Sequence, residues 1–396
     1  MKNILFVDDE PFVLQGLQRM LRPFRDEWEM TFVESGAKAL EHMAQTSVDV
    51  VVSDMCMPGM NGAELLNLVM KRSPKTVRLI LSGHADKELI LKCIGSTHQY
   101  LSKPCNPEML KTTIRRVSSI ETSFQNEKLQ SLVTQIDRLP SIPELYLKLV
   151  KLLENPDSDI DEVGKIIAND IGMTMTILKL VNSAFFGISR DINTTTEAVS
   201  YLGLDTIRSL VLTVNTFSQF DMAKVQNFSL DALLSHSLQT ATIAKAIAQA
   251  EGVDEKFTDE AFTAGMLHDT GKLVLAAHFT AQFNRAVQLA SEEKTPQDIA
   301  ETQIFGVNHA TVGGYLLNLW GLPTPVIEAI TLHHAPGQTT DKTFSLLTIV
   351  HVADGLAHEL TSTEPSQTAG RIDNAYLTEL GLLDRLEVWR ESAHKN

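Results

Sequence analysis

Cysteine is scarce in this chain. Cys56, Cys93 and Cys105 are too few and too clustered for a disulfide framework. Long apolar runs are missing too: no stretch reaches 18 consecutive apolar residues, so no membrane-spanning helix is expected. The opening MKNILFVDDE turns acidic after four apolar positions, whereas a signal peptide needs a longer apolar core and a small-residue cleavage site. These absences point to the cytoplasm. Positive charge is short in the later part of the chain. Residues 1–120 hold 15 Lys+Arg and 14 Asp+Glu, the remainder holds 19 and 35, and the whole chain carries −15. A region that acidic repels a phosphate backbone unless a local basic patch offsets it, and no basic run occurs there. Direct DNA binding is therefore not expected.

What is present is globular in composition, 43% hydrophobic and 21% charged, and its 396 residues are enough for two or three domains. Short apolar runs cover 3–7, 48–53, 77–81 and 99–102, and they end at Asp8-Asp9, Asp54, Ser82 and Lys103. Helical patterns at 11–22, 36–45, 62–72, 86–95 and 107–117 separate them. Strand–helix alternation implies βαβ units around a parallel sheet, where functional groups gather at the carboxyl ends of the strands. Three carboxylates brought together repel one another unless a hard cation such as Mg²⁺ is bound. A lysine adds positive charge, and a hydroxyl can bond a phosphoryl oxygen. Such a set can take a phosphoryl group on a carboxylate nucleophile. One Asp at a strand end is ordinarily a cap or turn residue; the five groups in chain order carry the argument.

The segments VDDE, SDMCMPGMNG, LSGHA and YLSKP make residues 1–118 resemble the receiver domain of two-component response regulators. The resemblance implies a doubly wound, flavodoxin-like, five-stranded parallel sheet over 1–120. It implies phosphorylation of Asp54 by a histidine kinase or phosphotransfer protein. It implies Mg²⁺ held by Asp9, Asp54 and the backbone carbonyl of Cys56, with Asp8 supporting. Ser82 and Lys103 would contact the phosphoryl group, and Tyr100 matches the family's switch aromatic.

Residues 118–135 are polar, with sparse apolar residues and no Pro or Gly, and 121–135 reads as a helical connector. From about 143 to 360 the pattern is helical, with Leu145, Leu149, Leu152 and Leu153 at helical spacing. The segments LPSIPEL, LKLVNSAFFG, YLGLDTIRSLVL and LHDTGKLVL make this region, assigned to 136–365, resemble the HDOD domain. That family is an all-α relative of the HD metal-dependent phosphohydrolases. Residues 366–396 are expected to add a closing helix.

The HD superfamily binds divalent metal through His…His-Asp…Asp, and its binuclear members add further histidines. The matching residues here are His236, His268, Asp269 and Asp354, with His309, His333 and His334 between. The resemblance thus implies a divalent metal such as iron, manganese or zinc, which suits a mixed imidazole and carboxylate shell. Each residue also has a plainer reading: an inward His as a satisfied core residue, His-His as a helix-end pair, Asp354 as a cap. Lys272, three residues after Asp269, is the candidate phosphate contact. HDOD proteins are regarded as signalling modules without demonstrated hydrolase activity. The Gly-Tyr-Pro that follows the paired histidines in cyclic-di-GMP esterases is absent; HHAPGQTTD stands there, and position 232 is Ala. The expected protein is a response regulator whose HDOD output acts through contacts with an unidentified downstream protein. Two readings stay open beside it: a phosphorylation-switched, metal-dependent phosphohydrolase, and nucleotide sensing without turnover. A dimer is left open as well.

Overall fold

The runs that end at Asp8, Asp54, Ser82 and Lys103 are strands of one parallel sheet. The computed structural model describes residues 1–82, 96–103, 107–119, 133–134, 136, 143–153, 155, 158–182, 188, 190–204, 206–207, 228–361 and 372–394. In it β1 (Lys2–Val7), β2 (Trp28–Val33), β3 (Val50–Asp54), β4 (Val77–Ser82) and β5 (Gln99–Ser102) lie in the order β2-β1-β3-β4-β5. Every pairing is parallel. β3 and β4 are buried along their whole lengths, which is why they read as unbroken apolar runs. β2 is an edge strand. Its sequence WEMTFV is half exposed and was not among the apolar runs; it is held partly by Phe32 stacked on Phe6, 5.0 Å between ring centroids. Helices α1 (Pro11–Leu21), α2 (Gly36–Gln45), α3 (Gly62–Arg72) and α4 (Pro107–Ser119) complete this unit. The helical pattern at 86–95 lies outside the described residues. α3 starts in a capping box, Asn61 and Glu64 each bonding the other's backbone N–H.

The second unit is all-α. Its first helices are α5 (Pro143–Leu153), α6 (Ile160–Ala168), α7 (Ile171–Val181) and α8 (Thr195–Leu202). The site is built by α9 (Leu230–Ala250), α10 (Glu255–Leu267), α11 (Thr270–His278), α12 (Thr280–Glu293), α13 (Gln297–Phe305), α14 (His309–Leu319), α15 (Thr324–Leu332) and α16 (Leu346–Thr361). Side-chain oxygens of Asp159, Asp170, Thr194, Ser229, Asp254 and Asn308 cap six of these helices. Within 372–394 the chain forms two short helices rather than one: α17 (Asn374–Glu379) and α18 (Leu386–His394). Gly381, at φ 70, turns the chain between them. Trp389 donates its Nε1–H to Glu251 Oε1 at 2.6 Å and seats α18 beside the end of α9. Among the described residues no helix is long and apolar enough to cross a membrane.

Most of the connector 121–135 lies outside the described residues; Val133 and Thr134 are buried. Thr134 O accepts from Arg78 Nη2 at 2.5 Å and from His98 Nε2 at 2.9 Å, so the connector's end is fastened to the sheet. The units also meet directly. Gln99 on β5 donates from Nε2 to Leu319 O, at the end of α14, at 3.1 Å, while Arg116 on α4 donates to Gln99 Oε1 at 2.7 Å. Gly321 lies against this pair: a Cβ there would be 3.0 Å from Arg116 Nη2. Beside it the Lys179 ammonium sits 4.5 Å from the centroid of the Trp320 ring.

Candidate phosphoacceptor pocket and metal centre

At the carboxyl edge of the sheet Lys103 bridges two carboxylates. Its Nζ donates to Asp8 Oδ2 at 2.7 Å and pairs with Asp54 Oδ1. Asp54 Oδ2 accepts the Cys56 N–H at 2.8 Å. Burial pushes the Asp54 carboxyl up, against the pull of Lys103. Burial likewise works against the Lys103 charge, but Asp54 and Asp8 outweigh it and hold its pKa up. Asp8 is buried, and Asp9 beside it is half-buried. Ser82 and Tyr100 are buried on the neighbouring strands, Ser82 in register with Ser102 and Tyr100 with Ile80. Gly62 closes the pocket floor, since a Cβ there would stand 2.2 Å from Asp54 O.

The second cluster lies where LHDTGK breaks a helix. The sequence reads as one run, but α10 ends at Leu267 and α11 starts at Thr270, with His268 and Asp269 in the turn between. Thr270 Oγ1 donates to Leu267 O at 2.7 Å and Lys272 N to Asp269 O at 2.9 Å, which holds the break. His309 opens α14, and His333 and His334 follow the end of α15. His236 and Asp354 come from within α9 and α16. All seven converge. Donor atoms of His236, His268 and Asp354 lie within 4.8 Å of one another, as do those of His268, Asp269 and His333, and those of His309, His333 and His334.

The proton positions follow from the partners. A carbonyl oxygen only accepts, so His268 Nδ1, 2.7 Å from Gly265 O, carries the hydrogen, and so does His333 Nδ1, 2.7 Å from Ile330 O. Each Nε2 then faces the cluster, and in the neutral imidazole it presents a lone pair there. His268 Nε2, His333 Nε2 and Asp269 Oδ1 are buried and have no hydrogen-bond partner. An unsatisfied buried polar group costs about 1–3 kcal/mol, and three that face one another fit a cation. Metal-ligating histidines are oriented in this same way, through the opposite ring nitrogen. The donor set therefore fits a divalent metal. The charges agree: burial works against the Asp354 carboxylate, yet His236 and His268 hold its pKa well below the ordinary range. Burial drops His333 to about 3, leaving it neutral and able to ligate. His309 is the exception: burial works against its charge, but Glu301 outweighs that and holds it up at about 9, so a metal there must displace a proton from its Nε2.

Lys272 does not face outward. Its Nζ pairs with Asp269 Oδ2 at 2.6 Å, so its charge is committed to the cluster rather than to a substrate phosphate. Three supporting residues were not legible as such. Glu301, fully buried on α13, accepts from His309 N at 2.7 Å and from His309 Nδ1 at 2.6 Å. His351 donates from Nδ1 to His333 O at 2.7 Å and accepts the Asp373 N–H at 2.8 Å. His358 stands beside Asp354 and His236; its Asp-x-x-x-His spacing with Asp354 was the sequence signal that could have found it.

Glycines set the spacing of the helices that carry these groups. A Cβ at Gly265 would lie 2.8 Å from Ala241 Cα on α9, one at Gly271 would lie 1.8 Å from His309 O, and one at Gly314 would lie 1.9 Å from Thr331 Oγ1 on α15. Each ligand-bearing pair is therefore drawn closer than side chains allow.

Comparison with known proteins assigns both halves of the chain to families. The HDOD domain family matches residues 139–336, half of the chain, and the response regulator receiver domain family matches residues 4–115. An uncharacterized protein of Treponema pallidum is 29% identical over 217 residues, covering 54% of this chain and 42% of its own length. A cyclic di-GMP phosphodiesterase of Thermotoga maritima is 26% identical over 147 residues, covering 36% of this chain and 39% of its own. The chain thus spans under half the length of these curated relatives. Among solved structures, the MmoQ response regulator from Methylococcus capsulatus shares the fold at 24% identity and a TM-score of 0.50, over 64% of this chain and 98% of that one. The chain belongs to the HDOD family and carries, ahead of the HDOD domain, a response regulator receiver domain.

Proposed function

We propose that this protein is a cytoplasmic phosphorylation switch. Asp54 takes a phosphoryl group from a histidine kinase or phosphotransfer protein, and the HDOD domain passes the state on through contacts with a downstream protein. The observation that carries the reading is Lys103 spanning Asp54 and Asp8 at the carboxyl edge of the sheet. In the transfer an Asp54 oxygen attacks phosphorus. The N–P bond of the donor's phosphohistidine breaks, and its electron pair returns to the imidazole. Asp54 becomes an acyl phosphate, and Lys103 turns from the carboxylate to the phosphoryl oxygens. Asp9, Asp54 and the Cys56 carbonyl, with Asp8 supporting, would hold Mg²⁺, which would supply charge neutralisation. Ser82 takes a phosphoryl oxygen, and Tyr100 reports the change. Incubation with acetyl phosphate and Mg²⁺ is expected to add one phosphoryl group to the intact protein and none to Asp54→Asn. Stoichiometric labelling of that variant at the same pocket would defeat the assignment.

A second reading, a metal-dependent phosphohydrolase, is favoured by the three orphaned donor atoms and by an opening to solvent. The His236, His334 and His358 side chains are 15, 20 and 27% exposed. A divalent metal held by these donors would supply Lewis acidity and lower the pKa of a coordinated water. The missing Gly-Tyr-Pro counts against cyclic di-GMP as substrate. Metal analysis and a phosphodiester screen, with and without beryllofluoride at Asp54, decide between the readings. Bound metal without turnover in either state leaves the signalling module.

A further inference from the structure

His358 is not among the ligands that the HD pattern supplies. It lies on α16 four residues after Asp354, one turn along the same face. Its Nε2 is 3.4 Å from Asp354 Oδ1, and its ring centroid is 4.4 Å from that of His236. Asp354 Oδ1 therefore has three imidazole Nε2 atoms around it: His236 at 3.0 Å, His358 at 3.4 Å and His268 at 3.6 Å. Hydrogen bonding does not account for all three. A carboxylate oxygen has two lone pairs, one fewer than the three imidazole nitrogens around it. A shared metal ion does account for them. With bonds of about 2.1 Å, neighbouring donors stand about 3.0 Å apart in an octahedron and about 3.4 Å apart in a tetrahedron.

We propose that His358 is a ligand of the metal position built by His236, His268 and Asp354, closing it on its solvent side. The inference rests on the metal reading of the cluster and assigns the two positions different work. Three imidazoles and a carboxylate are four protein donors, the closed set of a structural site. Any water that a metal activates then belongs to the other position, among Asp269, His309, His333 and His334. The ion class is a first-row divalent metal with affinity for imidazole.

The test uses the purified full chain, stripped and titrated with Co²⁺, whose visible absorption reports coordination number. Wild type should show the intense band of four-coordinate Co²⁺ at one position. His358→Ala should lose most of that intensity, with water replacing imidazole, and its affinity there should fall about 10- to 100-fold, the range known even for outer-shell losses. Binding at the second position should be unchanged. His358→Asp, which keeps a donor, should restore affinity with a shifted spectrum, and circular dichroism checks that each variant is folded. A His358→Ala titration and spectrum matching wild type would overturn the role of His358 while leaving the metal reading intact. A wild-type chain that takes up no Co²⁺ would overturn the metal reading itself, and His358 with it. Should His358→Ala fail to fold, the Asp variant decides: an unchanged spectrum there also refutes the proposal.

Discussion

Asp269→Ala is expected to destabilise the HDOD unit by about 3–5 kcal/mol and to abolish metal uptake at the position that Asp269 shares with His309, His333 and His334. Asp269 is buried and is the near neighbour of two positive groups, Lys272 at 2.6 Å and His309 at 3.1 Å. Burial works against the Asp269 carboxylate, yet its neighbours, His268 and Lys272 foremost, hold its pKa well below the ordinary range. Removing the carboxylate strands the Lys272 ammonium in the interior, the situation in which breaking a buried pair is most costly. Urea unfolding followed by circular dichroism measures the loss, and equilibrium dialysis measures the metal. Adding Lys272→Met should recover most of the stability, since both charges are then gone, but none of the metal. A single variant that unfolds at the wild-type midpoint and still takes up the same amount of metal would show that Asp269 is not a ligand.

The second large effect is expected at a residue with no chemistry. Gly271→Ala should cost about 3 kcal/mol or more, at the upper end for overpacking, and weaken metal binding with it. The added Cβ would meet His309 O at 1.8 Å and Gly313 N at 2.9 Å, both backbone atoms that no rotamer can move aside. Separating α11 from α14 pulls Asp269 away from His309. Gly16→Ala on α1 is the control, because a Cβ there meets nothing within 4 Å. That change should instead stabilise its helix by about 0.5–1 kcal/mol. Melting curves of both variants check the signs. A Gly271→Ala protein as stable as wild type would mean that the two helices can part without loss.

Which parts were legible in the residues has physical causes. The receiver pocket was readable because polar residues end buried strands, and strand ends are where a parallel sheet opens to ligands. β2 was not, because an edge strand keeps polar residues such as Glu29 on its exposed face. The break at His268-Asp269 was hidden because neither Gly nor Pro marks it; local hydroxyl and backbone bonds hold it. Lys272 was placed correctly on the face of Asp269, but spacing alone does not tell a buried ion pair from a substrate contact. Glu301 reaches His309 only because the chain reverses at Gly306, in the left-handed region, and such a tertiary partner has no local signature.

α14 begins at His309 in the cluster and ends at Leu319, whose carbonyl oxygen takes the Gln99 hydrogen bond from β5. Eleven helical residues span about 16 Å, so one helix runs from the cluster to the amino end of β5, the strand whose carboxyl end leads to Lys103. Linkage between two such ends has no direction. Whatever free energy phosphorylation delivers along α14 to the affinity of the cluster for its ion, the ion returns in equal amount to the phosphorylation equilibrium of Asp54. If both sites work as proposed, metal supply is a second input: the phosphorylation equilibrium of Asp54 should differ between the metal-loaded and the stripped protein. Substituting Gln99 should cut both effects by the same factor.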